Sequence, residues 1–368
     1  MGGKALRFFA CGIAVVFAAA LCTGCASPPR ASRESKASHG SGASSSPSRE
    51  LSEPTPATQR ADLQRSLENL VTAEGSGALA LARRPGWTWR GGAGLMADGR
   101  PVDPLARFAI ASTTKTYVAT TVLQLVAEGR LSLDDPVSRL LPGAIRDGQL
   151  VKLRHLLNHT SGIADGPLPI RDPLLTEPGA VHRYSNTNYV ILGRIVETFT
   201  RRPIEEVVRD RIFAPLNLGD STYGSASVGE ASADTSWLGA HLSATVEPET
   251  GAGGIESTAD DVGAFFQALL GGKLLDEPEM AEMLTTVPTG SDPLAGVVAG
   301  DPKAGLGIFG FTLPCGVAWG HGGDMFEYSN QVLVSGDAST VVVVARNMGG
   351  WPHANAVAED LFCAVQGQ

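Results

Sequence analysis

Three short constellations in this 368-residue chain carry side chains suited to nucleophilic chemistry. The first is Ser112-Thr113-Thr114-Lys115. A serine at the first turn of a helix has its own amide unpaired and aimed outward, which favours negative charge developing there. A lysine three residues on lies over the same helix face, within reach of the serine oxygen. Desolvation of such an amine favours its neutral form, which can take the hydroxyl proton. Ser-x-x-Lys occurs once, in a chain with 6 Lys against 23 Arg, and Lys115 is flanked by Ala109-Ile110-Ala111 and Tyr117-Val118-Ala119. A helix-capping serine followed by a snorkelling lysine would leave the same letters.

The second constellation, Tyr184-Ser185-Asn186, stands just before a helical pattern. A phenol beside an ammonium can shuttle protons because the positive charge favours the phenolate, and an Asn amide both donates and accepts. The triplet recurs as Tyr328-Ser329-Asn330 at the start of a strand-like run, so the letters alone do not choose between them. The third, Gly320-His321-Gly322-Gly323, follows a strand-like run. Its glycines would let a substrate backbone approach, and its histidine supplies a polar group able to carry charge. A tight glycine turn with an ordinary histidine is the plain alternative. His155 and His159 have a zinc-compatible spacing, but no Glu follows His155 as in zinc proteases, which favours a structural role. There is no Gly-x-Ser-x-Gly elbow and no phosphate-binding loop.

The elements that must position these residues follow from periodicity. A helix is expected over 61–73, with Leu63, Leu67, Leu70 and Val71 on one stripe. Strands are expected over 77–83 and 87–95 around the turn Arg84-Pro85-Gly86. A strong helix follows Ser112 and stops at Gly129. Helical pieces then cover 153–158, 189–199, 204–212 and 257–270, strands cover 306–312, 316–319, 328–334 and 340–345, and a last helix covers 354–365. Strands at both ends with helices between predict an α+β fold: an antiparallel sheet assembled from the N- and C-terminal segments, flanked by helices, with a mostly helical insertion over about 131–300.

The first sixty residues stand apart. Lys4 and Arg7 precede an apolar run over 8–21, so residues 1–24 read as a signal peptide, too short for a comfortable membrane span. Cys25, after Cys22-Thr23-Gly24 and before Ala26-Ser27, lies in a sequence resembling a bacterial lipobox and is a candidate for lipidation. Residues 25–60 are rich in Ser and Pro and cannot bury enough surface to offset ordering entropy, so a disordered tether is expected. Its reach would be on the order of 30 to 35 Å. The chain would then be exported, held at the outer membrane face by lipid alone or secreted, with its globular part over 61–368. Leader and tether each carry +2 within the total of −9, which leaves the globular part clearly acidic and argues against a nucleic-acid partner. Of the 5 cysteines only Cys315 and Cys363 remain there, as one disulfide or two buried thiols.

Order and spacing carry further. Ser-x-x-Lys, then Tyr-x-Asn, then His-x-Gly resembles the penicillin-recognising serine hydrolases, above all class C β-lactamases and the secreted D-alanyl-D-alanine carboxypeptidases of actinobacteria. The likeness includes Leu156-Leu157-Asn158-His159-Thr160-Ser161-Gly162, Ile212-Phe213-Ala214-Pro215-Leu216 and Gly253-Gly254-Ile255-Glu256-Ser257-Thr258, and extends over roughly 75–365. It selects Tyr184 over Tyr328. It implies Ser112 as the acyl-accepting nucleophile, with Lys115 and Tyr184 sharing base and acid work, and Asn186 orienting the substrate amide. His321, Gly322, Gly323 and Asp324 would line the substrate, with the amides of Ser112 and Asp324 as oxyanion hole. It also implies a Cys315–Cys363 disulfide, no metal and no cofactor. The expected substrate is a small cell-wall peptide containing D-amino acids, with an ester or β-lactam, or silent ligand binding, as alternatives. One departure stands out: no Lys or Arg occurs between Ala304 and His321, and Asp324 stands where Thr is common, so a terminal carboxylate would be repelled.

Overall fold

In the computed structural model the described residues are 56–71, 76–96, 98–224, 251–290, 292, 302–325, 328–347 and 354–366. The expected leader, almost all of the expected tether and Cys25 lie outside them. The helix expected over 61–73 instead runs Pro56–Glu68 (α1). Proline is at home in a first helical turn, and tight turns from Leu70 N to Leu67 O and from Val71 N to Glu68 O close the other end. The helix therefore begins inside the stretch expected to be tether. Of the expected stripe, Leu63 and Leu67 on the helix and Leu70 just beyond it are buried, and Val71 is partly buried.

The hairpin Gly77–Arg84 (β1) and Trp87–Gly94 (β2) comes next, then a short strand, Phe108–Ala109 (β3). A 3-10 turn, Ala111–Thr113, leads into helix Thr114–Ala127 (α2). Gly129, with φ of 68°, turns the chain out of that helix. Helices Val137–Leu140 (α3), Leu153–Leu157 (α4), Asn186–Thr200 (α5), Ile204–Val208 (α6) and Ala214–Leu216 (α7) follow, with a π-turn at Arg209–Phe213. Strands Thr222–Tyr223 (β4) and Ile255–Ser257 (β5) precede helix Ala259–Leu270 (α8), which Thr258 caps by accepting from Asp261 N at 3.2 Å. Helix Glu277–Leu284 (α9) leads to strands Val287–Pro288 (β6), Lys303–Ala304 (β7), Phe309–Leu313 (β8), Gly316–Met325 (β9), Tyr328–Ser335 (β10) and Val341–Asn347 (β11), then helix Ala354–Gln366 (α10).

Among the described residues the main sheet has 8 strands in the order β2-β1-β11-β10-β9-β8-β7-β6, with antiparallel pairing between neighbours. The first and last segments of the sheet thus pair with each other near one edge, behind β2, where Gly77 faces Asn347 and Arg83 faces Val341. Alternation explains the layers. Leu79, Leu81, Val341 and Val343 join one core with α2, α5 and α8, whereas Ala78, Ala80, Val342 and Val344 join another with α1 and α10. A strand buried on both faces reads as a continuous apolar run, as Val341 to Val344 does. Among the described residues of the expected insertion the longer elements are helices, with β4 and β5 joining β3 in a second sheet ordered β3-β5-β4 and β6 joining the main sheet. Cys315 and Cys363 form a disulfide that pins α10 to the start of β9.

The glycine–histidine motif needs correction. It does not end a strand or make a turn; it lies inside the ten-residue β9. Glycine is required there by close approach. A Cβ on Gly320 would fall 1.9 Å from Val332 O, and one on Gly323 would fall 2.2 Å from Ile110 O.

Candidate active site

Helix α2 is apolar or small almost all round, so it packs in the centre of the molecule. Its buried threonines spend their hydroxyls locally or across the core: Thr116 on Gly307 O at 2.7 Å, Thr120 on Thr116 O at 2.8 Å. A lysine on such a helix has no route to solvent, and Lys115 is 0% exposed. Its Nζ donates to Ser112 Oγ at 2.9 Å, Asn186 Oδ1 at 2.8 Å and the Ala252 carbonyl at 2.8 Å. The latter two partners act here as acceptors and hold two N–H groups. The remaining direction faces the serine oxygen, where a neutral amine would present its lone pair.

Ser112 belongs to the 3-10 turn ahead of α2 rather than to the helix itself. Ala111 beside it has φ of 46°, a left-handed conformation that costs a non-glycine residue about 1–3 kcal/mol. The turn is held there by Ile110 N donating to Ile255 O at 3.0 Å and Thr113 N donating to Ile110 O at 3.0 Å.

Tyr184 stands two residues outside α5, and Asn186 opens that helix. Ser185 between them is extended, so both side chains converge on Lys115. The Tyr184 ring lies 5.1 Å from Lys115 Nζ, and its hydroxyl is near enough to Ser112 for that side chain to favour the ionised phenol. Burial pushes the phenol well above its ordinary range. The Ser112 side chain opposes that rise, and the charges of Asp165, Asp324 and Asp292 add to it. The phenolate is therefore not the resting form: burial is the largest cause, and Tyr184 stays a proton donor.

Two neighbours of Tyr184 are Asp292, which the letters did not single out, and His159, for which they favoured a structural role. The Tyr184 amide donates to Asp292 Oδ2 at 2.6 Å, and that carboxylate also meets His182 Nδ1 at 3.0 Å. Its ring stacks on His159 at 4.2 Å. Nδ1 of His159 faces two donors, Ser185 N at 3.3 Å and Asn188 Nδ2 at 3.2 Å, which places the ring proton on Nε2. Burial first, then the nearby positive groups, hold His159 well below its ordinary range and hence neutral. The residue has φ of 57° and lies beyond the end of α4, so it does not share a helix with His155. The zinc-compatible spacing therefore comes apart in three dimensions.

The opposite wall is β9. His321 is 3% exposed, with Nδ1 on the Gly322 carbonyl at 2.5 Å. Burial and the charge of Lys115 bring it down to about 3. It is a neutral side chain, not a cation. Its Nδ1 proton is engaged, so Nε2 carries a lone pair. Gly323 abuts the nucleophile turn at Ile110. The carboxyl of Asp324 still reaches solvent, and partial desolvation raises it to about 6 against a hydrogen bond from Ser329. A seam joins the two walls: Asn330 accepts from Thr113 Oγ1 at 2.8 Å and donates to Ile110 O at 3.0 Å and Gly323 O at 3.1 Å. Asn330 was visible only as the end of the second Tyr-Ser-Asn triplet, and Ala252, acting through its carbonyl, has no signature in the letters.

Known proteins are similar to this chain in sequence and fold. The chain is 35% identical over 188 residues to Esterase EstB of Burkholderia gladioli, an overlap of 41% of this chain and 47% of that protein. It is 40% identical over 134 residues to Penicillin-binding protein 4 of Amycolatopsis lactamdurans, 31% of this chain and 35% of that one. The chain thus spans about half the length, or less, of the curated relatives it matches. The solved D-stereospecific amidohydrolase from Streptomyces sp. superposes with a TM-score of 0.66 at 31% identity, covering 83% of this chain and 99% of that one. The octameric penicillin-binding protein homologue from Pyrococcus abyssi shares the fold, with a TM-score of 0.70 at 20% identity over 85% of this chain and 77% of that one. The Beta-lactamase family profile matches residues 63–363, and the chain belongs to the beta-lactamase family.

Proposed function

We propose that the protein is an exported serine hydrolase that forms an acyl-enzyme on Ser112 and acts on amides and peptides of D-amino acids, such as those of the cell wall. The observation that carries the reaction is the fully buried Lys115 with Nζ 2.9 Å from Ser112 Oγ. Lys115 takes the serine proton as Oγ attacks the substrate carbonyl. The oxyanion gathers at the amides of Ser112 and Asp324. Tyr184, kept as a phenol, gives its proton to the leaving nitrogen and is reprotonated from Lys115. Water then repeats the sequence on the acyl-enzyme and frees Ser112.

Substrate class follows from charge. Asp165, Asp292 and Asp324 all bear on Tyr184 electrostatically. Like charges at about 4 Å cost on the order of 1 to 4 kcal/mol in water or a polar site. A substrate with a free amino group is thus favoured over one ending in a carboxylate, which sets an amino-terminal D-residue amide or peptide above a strict carboxypeptidase substrate. The likeness to a D-stereospecific amidohydrolase supports the same choice. The likeness to EstB and the missing cation before His321 support ester hydrolysis as the second reading.

The test is to incubate the purified chain with D- and L-alanine anilides, an acetyl-capped D-alanine anilide, a penicillin and an aryl ester, following release and intact mass. Faster turnover of the uncapped D-anilide, and an adduct that disappears in Ser112→Ala, are the expected results. Unchanged hydrolysis in Ser112→Ala overturns the mechanism. Preference for the capped compound overturns the substrate class. Export and lipidation at Cys25 belong to the same proposal and predict fatty-acid labelling that Cys25→Ala abolishes.

A further inference from the structure

Asn330 is 3% exposed and lies opposite Gly323 in the β9–β10 ladder. Its side chain makes three hydrogen bonds, and their partners are not scattered. Ile110 and Thr113 bracket the strained Ala111–Ser112 pair, and Gly323 immediately precedes Asp324. The two carbonyls that receive the amide protons, Ile110 O and Gly323 O, belong to the two walls whose separation governs how far apart the Ser112 and Asp324 amides stand. Two buried carbonyls drawn together without a shared donor repel and lack partners. The planar amide of Asn330 supplies that donor to both, while its oxygen holds Thr113 on the far side of the serine.

We infer that Asn330 is the positioning residue of the oxyanion hole, the group that sets the spacing of its two backbone donors. The inference rests on Ser112 being the nucleophile. Such donors act only when held at about 2.7–3.1 Å from the developing oxyanion, with tolerances near 0.5 Å. A residue that touches neither substrate nor proton can therefore govern rate. The glycine at 323 belongs to the same device, since no side chain fits between β9 and Ile110.

The experiment compares an aryl oxoester with its thiono analogue. Sulfur is longer-bonded and a weaker acceptor, so a well-set hole discriminates against it. Asn330→Ala is expected to lower kcat for the oxoester by about 10- to 100-fold with KM little changed, and to shrink the oxo-to-thiono preference by a similar order. Thr113→Val, which removes only one of the three hydrogen bonds, should move both quantities in the same direction by less. It also keeps the test open if Asn330→Ala does not fold. Thermal unfolding is followed alongside. An unchanged oxo-to-thiono preference, in Asn330→Ala where it folds and otherwise in Thr113→Val, overturns the inference even if kcat and Tm fall, because that is what a merely structural contact would do. Ser112→Ala separates the two failures. Hydrolysis surviving in it sinks the nucleophile, whereas loss of hydrolysis there with an unmoved preference in the other variants sinks only Asn330.

Discussion

Tyr184-Ser185-Asn186 and Tyr328-Ser329-Asn330 are one triplet threaded on two backbones. The first straddles the start of α5, where an extended Ser185 lets a phenol outside the helix and an amide on its first residue aim at the same lysine. The second runs along β10, where side chains two apart share a face but stay roughly 6.5 Å apart and cannot converge. Its asparagine instead turns to carbonyls on a neighbouring strand and on the nucleophile turn. Identical residues thus yield a group that handles protons in one place and a brace in the other. Which one results is decided by the path of the main chain.

That contrast can be broken at several points. Ser112→Ala removes the group both triplets serve, and hydrolysis should fall by about 10⁴-fold or more, with no covalent adduct by mass spectrometry. Tyr184→Phe should cost kcat about 10²- to 10⁴-fold, measured on an amide whose leaving group needs a proton. The effect should be smaller on an aryl ester, whose leaving group does not. Asn330→Ala comes next, with its loss carried by the oxo-to-thiono ratio. Asp324→Asn should act mainly through pH. As pH rises through about 6 the carboxylate ionises, so KM for an ammonium-bearing substrate falls and KM for a carboxylate-ended one rises. The substitution should flatten both curves by several-fold effects. Tyr328→Phe should be the mildest, changing kcat by no more than about twofold, since along the extended β10 the phenol starts two residues away from the Asn330 brace. A large loss there would erase the distinction between the triplets.

Much of this was legible in the letters. The sheet from two chain ends followed from strand-like runs at both ends, whereas the grouping of Ser112, Lys115, Tyr184 and Asn186 was implied by the resemblance to penicillin-recognising serine hydrolases, since the letters alone left Tyr184 and Tyr328 open. What stayed hidden has a common physical character. His159 reads as an ordinary residue of a leucine-rich segment until its left-handed backbone swings it against Tyr184. The Ala252 carbonyl is main chain and carries no letter of its own. The charge of His321 and of the Tyr184 phenol depends on desolvation, which only packing determines. The limits of β9 were misread because glycine signals both a turn and a close approach, and only the position of Ile110 tells them apart.

The meeting of β1 with β11 also sets a clock. Gly77 donates to the Asn347 side chain across 270 residues of chain. At a synthesis rate of about 5–20 residues per second, the first hairpin waits on the order of 10 to 50 s before the strand that joins it to the rest of the sheet exists. For most of that interval Ser112 and Lys115 have been made, but the strand bearing His321 and the brace at Asn330 have not. The nucleophile is one of the earlier parts of the globular chain to be synthesised and among the last to be armed, so a ribosome-bound or prematurely ended chain carries the serine without the means to use it.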